Sequence, residues 1–221
     1  MTDNTLPATQ ADLGFFSQYG NATSMSTIVG SLVKFEKGDW LLGSEGSEIE
    51  ATRQFTAVMD ELLIGWQKWE DKKPVATDMG KLAEGFRPSN RDALGDDDED
   101  LWEKDDNEKP RDPWQKANIL LLRTPGTNGT DDDDLFTYPT SSQGGIKAIG
   151  ELCKQYVRMT KEKGPGYPII ELSFSSYKHE KYGKVKTPVL KVVGWEPKHF
   201  DVAETKKVEA PKAAAKAKGK K

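Results

Sequence analysis

The chain has 221 residues, enough for one substantial hydrophobic core with appendages, since single domains run to about 100–200 residues. Its hydrophobic content of 35% is lean beside the roughly 45–50% of ordinary globular chains, and 31% of its residues are charged, so part of the sequence stays outside the core. One cysteine excludes an intrachain disulfide, two histidines with that cysteine cannot furnish a four-ligand His/Cys zinc site, and no run approaches the roughly 18–20 apolar residues of a membrane helix.

The net charge of −4 hides an asymmetry: from Lys147 onward there are 18 Lys and Arg against 8 Asp and Glu, a balance of +10, and the residues before it carry −14. The two halves meet different electrostatic partners, or each other. The polar N-terminus lacks the basic and apolar regions of a secretory signal, which makes the cytoplasm the expected location.

Residues 1–26 mix small polar residues with the apolar island Leu13-Gly14-Phe15-Phe16 and read as a flexible arm. Val29, Ser31, Val33 and Phe35 then alternate with Leu32, Lys34 and Glu36 as a half-buried strand does, and Lys37-Gly38-Asp39 turns the chain. Phe55 to Trp66 reads as a second strand, apolar on both faces and so in need of cover on both. Residues 70–116 hold Pro74, Pro88, Pro110 and Pro113 among many charges, including Asp96-Asp97-Asp98-Glu99-Asp100, and read as a long acidic insertion.

Asn118–Arg123 and Leu135–Thr140 are short apolar runs separated by Pro125-Gly126-Thr127-Asn128-Gly129 and four aspartates, a hairpin pattern. Ser142 precedes Ile146, Ile149, Leu152, Cys153, Tyr156 and Val157, the stripe of an amphipathic helix with a serine cap, which Gly164-Pro165-Gly166 ends. Cys153 belongs to that stripe as a packing residue. Ile170, Leu172 and Phe174 resume alternation, Lys178–Lys184 connects, and Val185–Trp195 forms a last strand whose Pro188 marks an edge or a bulge. The ordered domain therefore spans residues 27–197, followed by a disordered Lys/Ala-rich tail, 198–221.

This order is mainly β with one helix. It is the order of an OB-like five-stranded Greek-key barrel with its helix between strands three and four, with ferredoxin-like and other α+β sheets as alternatives. The runs Ser31-Leu-Val-Lys-Phe-Glu-Lys-Gly-Asp-Trp40, Asp112-Pro-Trp114 and Lys191-Val-Val-Gly-Trp195 resemble those of uncharacterised phage and prophage proteins, over about residues 28–196. Some phage replication proteins of similar size are OB-fold single-stranded DNA-binding proteins. The resemblance thus implies single-stranded DNA as partner, with replication or recombination proteins beside it, and host cytoplasm as location.

The residues themselves carry a compatible chemistry. Tyr177, Lys178, Lys181, Tyr182, Lys184 and Lys186 interleave aromatics with cations near the last two strands, with Lys191 beyond them, and Trp40, Trp66 and Trp69 are further stacking candidates. Aromatic faces stack on any base and lysines neutralise phosphates, so both act without regard to sequence. The tail lysines Lys212, Lys216, Lys218, Lys220 and Lys221 would add nonspecific phosphate contacts. The bland alternative makes the tyrosines cover for a barrel end and the lysines a solvated hairpin tip.

Asp96, Asp98 and Asp100 echo a calcium loop, but Leu101 stands where the turn glycine belongs, so no metal site is expected. Ser142-Gln143-Gly144-Gly145 falls short of a nucleotide loop, and no Ser/His/Asp or Cys/His arrangement has recognisable context. A non-enzymatic protein without cofactor is the expectation. The other readings are a protein-interaction or virion-associated module with a nonspecific basic tail, and a metal-dependent nuclease using the acidic clusters.

Overall fold

The alternating stripe around Val33 becomes β1 (Ser31–Glu36), and positive φ at Lys37 (53°) and Gly38 (99°) folds the chain straight back into β2 (Asp39–Leu42). Two consecutive left-handed residues match the strand twist of a tight hairpin. In this computed structural model, residues 28–71, 73–105, 108–129, 131–180 and 183–198 are described; the expected N-terminal arm and the lysine tail lie outside them.

A two-residue strand, β3 (Ser47–Glu48), extends β2. The single strand expected over Phe55–Trp66 is instead two, β4 (Gln54–Ala57) and β5 (Leu63–Glu70), separated by a 3-10 turn at Met59–Glu61. The break resolves the two-faced apolarity of that run, because Phe55, Ala57, Met59 and Leu62 are all buried in one core. It also divides the sheet: β4 pairs with β7 (Trp114–Arg123) and β9 (Gly166–His179), whereas β5 pairs with β7 and β6 (Lys73–Lys81).

The expected insertion is thus shorter than residues 70–116, since β6 and the start of β7 lie within it. Alternation at Val75, Thr77 and Met79 is masked in the sequence by surrounding charge. What remains, residues 82–113, is held by a knot around Arg91. Its guanidinium donates to both carboxylate oxygens of Asp112 (2.7 and 2.9 Å), to the Gly95 carbonyl (2.6 Å) and to Asp97 (3.2 Å). Asp96 accepts from the Trp114 indole (2.9 Å) and from Lys68 (3.1 Å). Bidentate Arg–carboxylate geometry orders what composition alone marks as unstructured.

The expected hairpin is present as β7 and β8 (Leu135–Thr140), antiparallel in register from Asn118↔Thr140 to Arg123↔Leu135. The Ser142 hydroxyl accepts from the Gly145 N–H at 3.0 Å and caps α1 (Gln143–Lys163), which buries Gly145, Ala148, Ile149 and Leu152. β9 and β10 (Gly183–Pro197) close the chain as a long antiparallel ribbon, with a bulge between Val192 and Gly194.

All ten strands join one sheet, ordered β10-β9-β4-β7-β8-β1-β2-β3, with β5 and β6 branching from β7. It is antiparallel except for the β1–β8 pair and curls into an open half-barrel. The Trp40 indole donates to the Ser173 carbonyl at 2.7 Å and ties β2 to β9 across the opening. The helix lies between β8 and β9; short strands and the β4/β5 break bring the strands before it to eight. Pro188 lies on β10, which among the described residues pairs only with β9 and is an edge of the sheet.

The far end of β10 is pinned by charge. Arg123 donates to Glu196 at 2.9 Å, both side chains being only 12% exposed, and the buried Thr56 hydroxyl donates to the other Glu196 oxygen at 2.6 Å. Nearby, Asp60 accepts from the Tyr167 hydroxyl (2.8 Å) and from the Lys198 ammonium. Burial, then the Asp60 carboxylate, pushes the Tyr167 hydroxyl up to about 12.

Candidate nucleic-acid interface

The β9–β10 ribbon continues past the core. Ile170, Leu172 and Leu190 are buried, but from Phe174 outward β9 is exposed, and Gly183 and Lys184 open β10 equally exposed. Period-two alternation and the register Tyr177↔Val185, Ser175↔Thr187 and Phe174↔Pro188 sort this outer half into two faces. Phe174, Lys178, Lys184 and Lys186 share the face that continues the core; Ser175, Tyr177, Thr187 and Val189 share the other. The aromatics on both faces are half in solvent, Phe174 at 47% and Tyr177 at 52% exposed.

The core-continuing face carries its own counter-charge. Lys186 sits 4.5 Å from the Phe174 ring centroid and its ammonium reaches Asp39 at 3.3 Å. Beside it, Asp39, Glu48 and Glu50 line a cavity of about 330 Å³ together with Trp40 and Phe174. The opposite face borders a larger groove of about 660 Å³ between the ribbon and α1, lined by Gln143, Lys147, Gln155, Tyr177, Thr187 and Val189 among others. Glu151, also in that groove, is engaged by Lys154 at 2.8 Å, and that hydrogen bond holds its carboxyl below the usual range.

Of the residues singled out in the sequence, Tyr177, Lys178, Lys184, Lys186 and Lys191 are brought onto this one ribbon. Lys191 pairs across it with Glu171 at 3.0 Å, and that hydrogen bond lowers the Glu171 carboxyl. Lys181 and Tyr182, and the tail lysines Lys212, Lys216, Lys218, Lys220 and Lys221, lie outside the described residues.

The tryptophans do not join them. Trp40 is 5% exposed, wedged between Phe35 and Tyr138 with ring centroids 5.0 Å from each, so it is a core residue and offers no open ring to a base. Trp66 is half-buried, its indole donating to the Ser89 carbonyl at 3.0 Å and its ring under Lys116 at 5.4 Å. It sits opposite Lys116 on β7, seven residues before Arg123, whose neighbours across the sheet are Thr56 and then Ile169. β9 runs onward from Ile169 in the direction of β7, so at about 3.3 Å per residue Trp66 lies roughly 50 Å along the strands from the ribbon tip. Trp69 shares that distant lobe, its indole N–H buried without a partner.

Sequence reasoning does not single out Phe174 and Lys147 as exposed neighbours of this ribbon. Phe174 continues the stripe of Ile170 and Leu172 and so reads as core; only the end of the core at Leu172 makes it a surface residue. Lys147 has a legible signal, the polar stripe Gln143, Lys147, Glu151 and Gln155 at helical spacing.

Among the described residues, no group of three or more His, Cys, Asp or Glu is arranged to hold a metal ion, and no helix is long and apolar enough to cross a membrane. Comparison of the chain with protein-family models, with curated proteins and with solved structures finds no match.

Proposed function

We propose that this protein binds single-stranded DNA without sequence preference, in the manner of a phage protein protecting replication or recombination intermediates, and that it is not an enzyme. The observation that carries the reading is the outer half of the β9–β10 ribbon, where two half-exposed aromatics, Phe174 and Tyr177, stand among Lys178, Lys184 and Lys186 beyond the core. Bases stack on aromatic faces for roughly 1–3 kcal/mol each, and ammonium groups displace counterions from phosphates. Neither contact reads sequence, which is what a general single-strand binder requires.

For the finer topology we propose an OB-like Greek-key core within the half-barrel. It is supported by the lone parallel pair, β1 with β8, in an otherwise antiparallel sheet, and by a helix set just before the last two strands. The sheet would present its ribbon to the strand, with the host cytoplasm as the place of action.

Fluorescence anisotropy with labelled single- and double-stranded oligonucleotides tests the function. The intact chain is expected to bind single strands at micromolar concentration or tighter, with affinity falling as salt rises and with a preference over duplex. Absence of single-strand binding at low salt refutes the proposal.

A further inference from the structure

We infer that the single strand runs through the groove between α1 and the β9–β10 ribbon, with a base stacked on Tyr177 and a phosphate at Lys147. This rests on the DNA-binding reading above and narrows it to one side of the ribbon.

The groove is large enough to take a nucleotide. Its volume of about 660 Å³ lies well within the roughly 300–1,000 Å³ of small-molecule sites, whereas the cavity on the other face is about half as large. It also has length. α1 tracks β10 in the same sense, since a Cβ at Gly144 would meet Pro188 at 3.3 Å, and twelve helix residues later Tyr156 stands 6.0 Å from Trp195. That helix span is about 18 Å and the matching strand span about 23 Å, so the two lips stay together.

Near the core, carboxylates also separate the two sides, although Lys178 and Lys184 stand further out on the Phe174 side. On the Phe174 side, Lys186 is already committed to Asp39, and Glu48 and Glu50 stand around the same cavity, so a phosphate there meets carboxylates. On the Tyr177 side, the one carboxylate among the described groove residues, Glu151, is hydrogen-bonded by Lys154, while exposed Lys147, one helical turn away, attracts the same carboxylate without a salt bridge within 4 Å. A phosphate at Lys147 therefore competes only with the longer-range attraction to Glu151, which keeps Lys154 as its hydrogen-bond partner.

The lining suits a base as well as a phosphate. Val189 and Ala148 give an apolar floor, Tyr177 an aromatic wall, and Gln143 and Gln155 amides that both donate and accept. An amide can serve either role toward a base edge, so these groups hold a base without selecting one.

The experiment uses the full chain and an oligothymidylate of about 20 nucleotides, read by anisotropy at low salt. Tyr177→Ala and Lys147→Glu are each expected to weaken binding about tenfold, Tyr177→Phe to bind like the natural chain, and Phe174→Ala to change affinity less than about twofold. Photocrosslinking to 5-iododeoxyuridine is expected to mark Tyr177. Groove variants that bind like the natural chain, or a loss confined to Phe174→Ala with the crosslink on Phe174, overturn the groove path and leave the DNA-binding reading standing. Absence of binding by the natural chain overturns the reading itself, and the path with it.

Discussion

Removing the Glu196 carboxylate should cost more stability than any surface contact in the molecule. Glu196→Ala strips Arg123 of its only carboxylate among the described residues, leaving a guanidinium 12% exposed with the Thr124 and Thr127 carbonyls as acceptors, and leaves the buried Thr56 hydroxyl without its acceptor. Breaking one side of a buried ion pair costs roughly 3–5 kcal/mol; the remaining carbonyls place this case at the lower end, about 3 kcal/mol. A domain of this size loses about 2–4 °C of Tm per kcal/mol, so the expected fall is about 6–12 °C by thermal circular dichroism. Glu196→Gln keeps an acceptor oxygen for Arg123 and turns its NH2 to the Thr56 hydroxyl, which can accept from it, so it should lose about half as much. Arg123→Met combined with Glu196→Leu should recover part of the loss, because the cost lies in the orphaned charge rather than in the missing attraction. A fall under about 2 °C for Glu196→Ala, or strictly additive single losses, would refute the argument.

Three further outcomes follow from the same geometry. Burial alone would raise the Glu196 and Asp60 carboxyls, but hydrogen bonds from Thr56 and Arg123, and from Lys198 and Tyr167, outweigh it and leave both lowered. Their folded-state values thus lie below the unfolded ones, so urea midpoints should hold from about pH 7 to pH 5 and drop below about pH 4, less steeply in Glu196→Gln. Gly65 has φ of +152° and a Cβ there would fall 2.0 Å from the Asp78 carbonyl oxygen, so Gly65→Ala should cost about 2–4 kcal/mol in chemical denaturation by prying β5 from β6. Truncation after Lys198 removes seven lysines and should flatten the salt dependence of oligonucleotide binding while single-strand preference persists; loss of all binding would move recognition to the tail.

Local signals in the sequence locate most elements. The Ser142 cap, the stripe through Ile149 and Leu152 and the Gly164 stop each have a short-range cause, and so does the Lys37-Gly38 turn. What stays hidden depends on partners distant in sequence. β6 is stabilised by pairing with β5, and the order of residues 82–113 comes from Arg91 reaching Asp112, 21 residues away. The same limit governs the interface. Trp40 looks like Tyr177 in a string of letters, both being aromatics beside charges on a strand, but Ser173, 133 residues further on, accepts the Trp40 indole and takes it into the core. Lys178, Lys184 and Lys186 are legible as a group because a hairpin brings near residues together; their separation from Tyr177 onto the opposite face needs the register.

The charge asymmetry of the sequence becomes a spatial one, which decides how the acidic segment can act. Asp96 and Asp97 are fastened by Arg91, Lys68 and Trp114 to the β5–β7 end of the sheet. That end lies tens of ångströms along the strands from the ribbon tip, since the register passes from Lys116 through Arg123, Thr56 and Ile169 before β9 continues outward. At physiological ionic strength charges interact over about 8 Å, so the fastened carboxylates neither attract the ribbon lysines nor repel a strand lying there. For the acidic segment to mask the groove, the Arg91–Asp112 pair would first have to break, and its bidentate geometry opposes that. The carboxylates that do bear on the interface are the few beside it: Asp39, Glu48 and Glu50 on the Phe174 side, and Glu151 on the Tyr177 side, where Lys154 already holds it. On the proposed path, a strand on the Tyr177 side therefore meets one nearby carboxylate, already shared by Lys154 and Lys147, where the Phe174 side has three.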